Sequence, residues 1–454
     1  MRRLERFISA RNRRGGPGLS ALSLYSGAGL SDLGYELAGF RFKVQCELDD
    51  DRAELGERNF PHSKWIVGNV QDKLESIVRA YRRLASGQRL SLLSITPPCQ
   101  GMSSSNPGRG KMHEPKESDV RNTLLLEALP IVQRLKPRIV VAENVAPLLN
   151  RKITWHRRTL TVVQAFAEGL EGYHLRVGVV EMADYGIPQM RKRLILIALH
   201  EDEPVVERLG TQELLPWPRP THADTPVAGQ KPWITIRQWL TRMGYPELDS
   251  RTHPADPDLP LHFVPEYAED DHRYDLVSSI RRNSGRNAYA NSRCPICRRN
   301  GIREKTAYCP HCDEVLFNRP VVQEDDGTWR LIKGFGSSYR RAHPARPAPT
   351  VTTNSSHVGS DNKIHPWEHR VMSVLECADL QTVPRFFDWT WALETRHNYV
   401  IRNVVGEALP PYFTYLHGKV LRDLLAGVVP RTKLSRIGVD GQERNWRDKA
   451  DEDE

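Results

Sequence analysis

The sequence predicts an α/β protein with a Rossmann-like, doubly wound, mostly parallel sheet and a second, smaller, loop-rich domain. Three observations predict it. From Leu19 to about Leu199, short apolar runs alternate with segments of helical period, the signature of βαβ units. After His200 the chain turns irregular and proline-rich, as in Pro216-Trp217-Pro218-Arg219-Pro220. Four of the seven cysteines fall between 294 and 312, which fits a metal site with free thiols elsewhere and not a disulfide framework.

Composition bounds what such a chain can be. With 454 residues, 39% hydrophobic and 27% charged, it holds two or three domains and at least one sizeable core. No apolar run approaches the roughly 18 residues that cross a membrane. The basic stretch from Met1 to Arg14 lacks the apolar segment and cleavage site of a secretory signal, so a cytoplasmic protein with a basic arm over 1–18 is expected. A formal charge of +9 suits a polyanionic partner.

In the sheet domain, 19–200, strands are expected at 21–25, 42–47, 65–67, 90–95, 138–143, 175–182 and 194–199. Helices are expected at 31–39, 50–59, 73–85, 122–135 and 159–170. The irregular domain spans 201–370 and shows few convincing periods. The segment 371–435 includes a helical run that begins at Pro411, and a charged tail fills 436–454.

Several strand ends carry chemistry-bearing residues. Tyr25-Ser26-Gly27-Ala28-Gly29 sets two glycines between a strand and a helix, where backbone can approach a ligand closely. The next strand ends in Glu47-Leu48-Asp49. Glu47 can accept hydrogen bonds from ribose hydroxyls there, or cap the helix beginning near Asp50. Pro97 and Pro98 cannot donate to a sheet ladder, so the strand from Leu92 stops and Cys99 emerges at the carboxyl edge, where ligands of open α/β sheets sit. Farther on, Val140-Val141-Ala142 runs into Glu143-Asn144-Val145, a carboxylate costly to bury unless paired, protonated or catalytic. Gln189-Met190-Arg191-Lys192-Arg193 sets two arginines two apart, on one face of a strand.

The order of these pieces closely resembles the C5-cytosine DNA methyltransferases. Tyr25-Ser26-Gly27-Ala28-Gly29 is similar to the family's S-adenosylmethionine loop, Pro98-Cys99-Gln100 to its nucleophile motif, and Glu143-Asn144-Val145 to its Glu-Asn-Val motif. Gln189-x-Arg191-x-Arg193 resembles Gln-x-Arg-x-Arg. Arg346-Pro347-Ala348-Pro349-Thr350-Val351-Thr352 matches the segment after the target-recognition region, and Gly406-Glu407-Ala408-Leu409-Pro410-Pro411 the terminal motif that folds back onto the cofactor pocket. The chain departs from the pattern at Leu30, where another glycine is usual, at Asn69 for aspartate, at Ile95-Thr96 for Gly-Gly, and at Glu407 for asparagine.

The resemblance implies a class I methyltransferase fold in which 19–200 is catalytic, 201–370 recognises the target and 371–435 returns to the catalytic domain. It implies S-adenosylmethionine bound by Tyr25, Gly27, Gly29, Glu47, Leu48, Asn69, Val70 and Pro98, and catalysis by Cys99, Glu143, Arg191 and Arg193. The thiolate of Cys99 would add to C6 of a flipped-out cytosine in double-stranded DNA, with protonated Glu143 at N3 and Arg193 near O2 or the sugar-phosphate. The polar, basic stretch 101–120 suits a loop that closes over DNA. The implied setting is restriction-modification or another defence system, with a cognate restriction or defence complex as a further partner and no membrane. A tRNA-methylating enzyme with the same core and a catalytically silent DNA-binding homologue are the alternatives.

The second strong signal is local. Cys294-Pro295-Ile296-Cys297 and Cys309-Pro310-His311-Cys312 form two knuckles at the spacing of a tetrahedral zinc ribbon over 294–312, so structural Zn2+ on Cys294, Cys297, Cys309 and Cys312 is expected. Such a ribbon would bring Arg293, Arg298, Arg299, Arg303 and Lys305 toward DNA.

Overall fold

The computed structural model describes residues 1–10, 18–98, 123–212, 216–303, 306–334, 337–360, 363–395, 397–429, 436–437 and 443–444. Helix α1 (Arg2–Ile8) precedes β1 (Leu19–Leu24), α2 (Leu30–Leu37), β2 (Phe40–Glu47), α3 (Asp50–Asn59), β3 (Lys64–Val67), α4 (Leu74–Ala85) and β4 (Leu92–Ile95). Then come α5 (Leu129–Leu135), β5 (Ile139–Asn144), β6 (Lys152–Trp155), β7 (Arg158–Thr161), α6 (Val162–Gly169), β8 (Tyr173–Glu181) and β9 (Lys192–His200). The central sheet runs β3-β2-β1-β4-β5-β9-β8. The strands from β3 to β5 pair in parallel, whereas β9 runs antiparallel between β5 and β8. This is the mostly parallel α/β sheet that the alternating pattern predicts.

Sequence accounts for the layers. Strands β4 and β5 are buried at every position, as strands covered on both faces must be, and their composition is accordingly apolar up to Glu143 and Asn144. Helix α4 buries Ile77, Val78, Tyr81 and Ala85 on one stripe and exposes Arg79, Arg82 and Arg83. Two expected helices are shorter. The expected helix at 159–170 begins three residues later because Arg158–Thr161 is strand β7, and Thr161 caps α6 by accepting the Gln164 N–H. In place of a helix from 122, the described residues hold a 3-10 turn, Leu126–Ala128, that leads into α5.

Beyond β9 lie α7 (Val205–Gln212), β10 (His222–Ala223), β11 (Lys231–Pro232), α8 (Ile236–Met243) and α9 (His272–Ser279). Short strands β12 (Val321–Gln323) and β13 (Trp329–Leu331) precede α10 (Val374–Leu380), α11 (Thr390–Thr395), α12 (His397–Glu407) and α13 (Pro411–Leu425). Strands β14 (Arg436–Ile437) and β15 (Glu443–Arg444) then extend the sheet beyond β8. Helix α8 falls where no period was expected, yet its signals are orthodox: a Thr235–Gln238 capping box, an Ile236/Trp239/Leu240 stripe and a left-handed Gly244 at its end.

Packing does not stop at positions 200 or 370. One apolar cluster joins Leu4 and Ile8 of α1 to Leu30, Leu33 and Phe60 of the sheet domain, and continues through Ile236, Trp239, Ala348, Val351 and Val404. Helix α13 lies across α2 at a contact of small residues. A Cβ on Gly34 would meet Thr414 Oγ1 at 2.0 Å, and one on Gly418 would meet Ala38 Cβ at 2.7 Å. No described helix is long and apolar enough to cross a membrane.

Candidate active site at the carboxyl edge of the sheet

The turn after β1 is built for close approach. Tyr25, Gly27 and Gly29 all adopt positive φ, at 59°, 55° and 79°. A Cβ on Gly29 would strike Phe60 at 2.5 Å, whereas one on Gly27 would meet nothing within 4 Å, so Gly27 faces open space and Gly29 faces core. Leu30 is itself buried in that core, so its side chain does not narrow the turn. The Tyr25 hydroxyl donates to the Leu124 carbonyl at 2.9 Å and to Glu127 Oε2 at 3.2 Å, and Thr96 Oγ1 donates to the Tyr25 carbonyl at 2.9 Å.

Glu47 ties this turn to the end of β2. Its two carboxylate oxygens accept the Gly27 N–H at 2.8 Å and the Asp49 N–H at 3.1 Å. The cap of α3 is Asp49, which accepts the Arg52 N–H at 2.9 Å, so of the two roles open to Glu47 the helix cap belongs to its neighbour. Leu48 stands beside it 66% exposed, an apolar side chain without cover. Asn69 Oδ1 accepts the Gln71 N–H at 2.7 Å. The Val70 side chain is buried in the sheet core, which leaves its backbone for any contact with a ligand. An open cradle at Gly27, a carboxylate and an exposed apolar side chain fit a nucleoside-bearing ligand such as S-adenosylmethionine.

Glu143 ends β5 in a buried position. Arg193 Nε lies 2.8 Å from its Oε1 in an ion pair, and among the described residues no well-aligned hydrogen-bond donor meets that oxygen. Burial pushes the Glu143 carboxyl above the usual glutamate range, against the pull of the Arg193 and Arg191 charges. The adjacent Asn144 donates through Nδ2 to the Pro97 carbonyl at 3.2 Å, bracing the chain two residues before Cys99. Pro98 is exposed at the end of the described β4 segment. Cys99 and 101–120 lie outside the described residues.

Arg191 and Arg193 diverge. The buried Arg191 guanidinium donates to the Val351 carbonyl at 2.9 Å and to the Gly406 and Glu407 carbonyls at 2.9 and 3.2 Å. Its hydrogen bonds therefore position the returning segment, a structural use that the expected catalytic role did not anticipate. Gln189 works alongside it, accepting the Val351 N–H at 2.9 Å and donating to the Leu380 carbonyl at 3.0 Å and to Gln381 at 2.7 Å. Glu407 meets Arg52 in a two-pronged ion pair at 2.7 and 2.9 Å, a partner 355 positions away that no sequence pattern exposes. Sequence reading also passed over Asn144 as a brace, although its place in the same motif as Glu143 was a usable signal.

In the insert, Cys294, Cys297, Cys309 and Cys312 bring their sulfurs within 4.8 Å of one another. Cys294 and Cys312 are 3.7 Å apart, as are Cys297 and Cys309. Arg293, Arg298, Arg299 and Arg303 are exposed around them, and Lys305 lies outside the described residues.

The chain matches known proteins along most of its length. A family model described as C-5 cytosine-specific DNA methylase matches residues 19–421. The chain is 26% identical over 404 residues to the Type II methyltransferase M1.HgaI of Avibacterium volantium, covering 87% of this chain and 95% of that one. It is 24% identical over 375 residues to the Type II methyltransferase M.DdeI of Desulfomicrobium norvegicum, covering 81% and 79%. Among solved structures, a prophage-encoded DNA modification methyltransferase from E. coli superposes with a TM-score of 0.51 at 19% identity, over 90% of this chain and 100% of that one, a likeness of fold.

Proposed function

We infer the reaction from a fixed point: the chain belongs to the C-5 cytosine-specific DNA methylase family. The reading is a DNA (cytosine-5)-methyltransferase that acts on a cytosine flipped out of duplex DNA, in restriction-modification or a related defence setting. The observation that carries it is Glu143, a buried carboxyl with raised proton affinity that meets Arg193 at 2.8 Å and, among the described residues, has no well-aligned hydrogen-bond donor on Oε1.

The chemistry assigned to each residue follows from its type. S-adenosylmethionine supplies an electrophilic methyl sulfonium when bound. Gly27 leaves room for it, Glu47 accepts from ribose hydroxyls and Leu48 covers the adenine face. The Cys99 thiolate forms a bond to C6. The C5=C6 pair shifts to C4=C5, and the C4=N3 pair moves onto N3, where protonated Glu143 donates. Arg193 holds the charge that develops near O2. The enamine-like C5 would accept the methyl group as the sulfonium carbon–sulfur bond broke to leave a neutral thioether. A base then removes the C5 proton, that electron pair re-forms C5=C6 as the sulfur–C6 bond breaks to release the thiolate, and N3 returns its proton to Glu143. Arg191 contributes by holding the segment that carries Glu407.

The four thiols of the insert are read as a structural zinc site. A tetrahedral shell with zinc–sulfur distances of about 2.3 Å has sulfur–sulfur edges of about 3.8 Å, beside the two 3.7 Å separations here. Four thiolates fill the shell and leave no open position for catalysis. Zinc would hold the exposed Arg293, Arg298, Arg299 and Arg303 against DNA phosphates.

Transfer of a labelled methyl group to duplex DNA and to tRNA, side by side, tests the reading. Label is expected in cytosine of the duplex and absent from tRNA. Glu143→Gln should lose at least about a hundredfold in rate with duplex binding retained. Labelled tRNA with unlabelled DNA, or an unimpaired Glu143→Gln, would overturn it.

A further inference from the structure

Beyond Asn144, after a 3-10 turn at Ala146–Asn150, stands an element that no motif marks, the hairpin β6–β7. Its place follows from topology. Strands β5 and β8 run in the same direction, so α6 must carry the chain from the carboxyl edge of the sheet back to the amino edge. The hairpin that precedes α6 therefore shares the carboxyl edge with Glu143.

Its base is anchored and its tip is strained. Ile153 is buried in the sheet core, Trp155 and Leu160 pack against that core, and the Val162 N–H donates to the Arg151 carbonyl at 2.9 Å. Trp155 pairs with Arg158 across a two-residue turn made by His156 and Arg157. Both turn residues adopt positive φ, 48° and 65°. That conformation favours Asn-Gly, and side chains as large as these hold it at a cost.

The outward surface is cationic and hydroxylated. Strand alternation sends Ile153 and Leu160 inward, and Lys152, Thr154 and Thr159 outward, all three exposed, with His156 and Arg157 exposed at the tip. Arg158 pairs with Glu168 at 2.5 Å. Neither Lys152 nor Arg157 makes a side-chain hydrogen bond or ion pair with any described residue. Ammonium, guanidinium and hydroxyl groups on a two-stranded finger anchored at its base are the equipment of phosphate contact.

We propose that hairpin β6–β7 is a DNA-backbone finger, in which Arg157 and Lys152 bind phosphates of the duplex beside the target cytosine. The proposal rests on the reading that duplex DNA is the substrate. It is tested with the variant His156→Asn/Arg157→Gly, which installs the residues the turn prefers and removes the tip cation. Duplex affinity is measured across salt concentrations, with S-adenosylmethionine affinity and Tm measured in parallel. The variant should melt no lower than the parent and bind S-adenosylmethionine unchanged. Its duplex affinity should weaken, with the slope of log affinity against log salt shallower by about one, the loss of one phosphate contact. Lys152→Ala should shallow the slope by a similar amount. Unchanged slopes in both variants would overturn the finger. A parent protein that does not bind duplex DNA at all would instead sink the substrate reading, so the two failures are separable.

Discussion

The sheet domain and the insert solve one problem in opposite ways. In the sheet every central strand lends its backbone groups to neighbours, so the side chains between layers can be purely aliphatic, as Leu22, Val140, Leu194 and Leu196 are. The insert has long stretches without regular structure and must satisfy its carbonyls by other means. It uses buried guanidinium groups. Arg341 donates to the carbonyls of Ile280, His365, Glu368 and Val277, at 2.9, 2.6, 2.5 and 2.8 Å. Arg319 likewise donates to the carbonyls of Asn291, Arg303 and Thr306. Five planar donors on one stem can gather several loops at once, which an apolar side chain cannot do. Arg191 brings the same device to the seam between the two regions.

The largest effect that would sharpen this contrast is loss of the thiol cluster. Chelation or Cys294→Ser should release one zinc ion and unfold the ribbon, abolishing duplex binding while the sheet's melting transition persists. Zinc content and calorimetry read this out. An unmoved insert would break the contrast. Next, Arg341→Met should cost about 4 kcal/mol, roughly 1 kcal/mol for each of four abandoned carbonyls. Leu196→Met in the sheet should cost under about 1.5 kcal/mol. Denaturant unfolding decides between them, and equal costs would mean the insert is held by ordinary apolar packing. Third, Gly34→Ala forces a methyl group into the α2–α13 crossing, where its nearest neighbours would lie at 2.0 and 2.1 Å. About 1–3 kcal/mol of destabilisation by thermal melting is expected.

The smallest effect contrasts two buried carboxyls. Asp32, beside the cofactor turn, has its pKa pushed up to about 7 by burial, against an ordinary 3.8. Between those values the folded state holds a proton that the unfolded state has lost, so this group lowers stability as pH rises from about 4 to about 7. In α10, just beyond the insert, burial would raise Glu376 too, but the Arg370 charge and its hydrogen bonds overcome it and hold the carboxyl well below its ordinary value. That contribution is present above about pH 4.5 and is lost as pH falls. Asp32→Asn should therefore gain Tm over the parent above pH 7 and match it near pH 4, whereas Glu376→Gln should be destabilised most above pH 5. Parallel pH profiles for both variants would refute the assignment.

Legibility in the sequence followed the same division. The strands of the sheet were readable because periodicity reports two-sided burial, and β6–β7 escaped because its turn residues, His156 and Arg157, carry no turn signal. Glu143 and Glu47 could be singled out because their place at strand ends, in an order that resembles the family's motifs, is written along the chain, and the four cysteines because they recur at the spacing of metal ligands. Arg52–Glu407 and the carbonyl clamps of Arg191, Arg319 and Arg341 were not, since each is defined by partners far away in sequence. Burial of the Val70 side chain, a property of the packed sheet, is likewise invisible in the motif that singles the residue out.

In the proposed reaction Cys99 attacks C6 of cytosine while Glu143 serves N3. Duplex DNA carrying 5-fluorocytosine, incubated with the protein and S-adenosylmethionine, tests it most directly, because fluorine at C5 blocks the final elimination. A denaturant-resistant protein–DNA adduct is expected to form with the parent and to vanish in Cys99→Ala. An adduct undiminished in Cys99→Ala would contradict it.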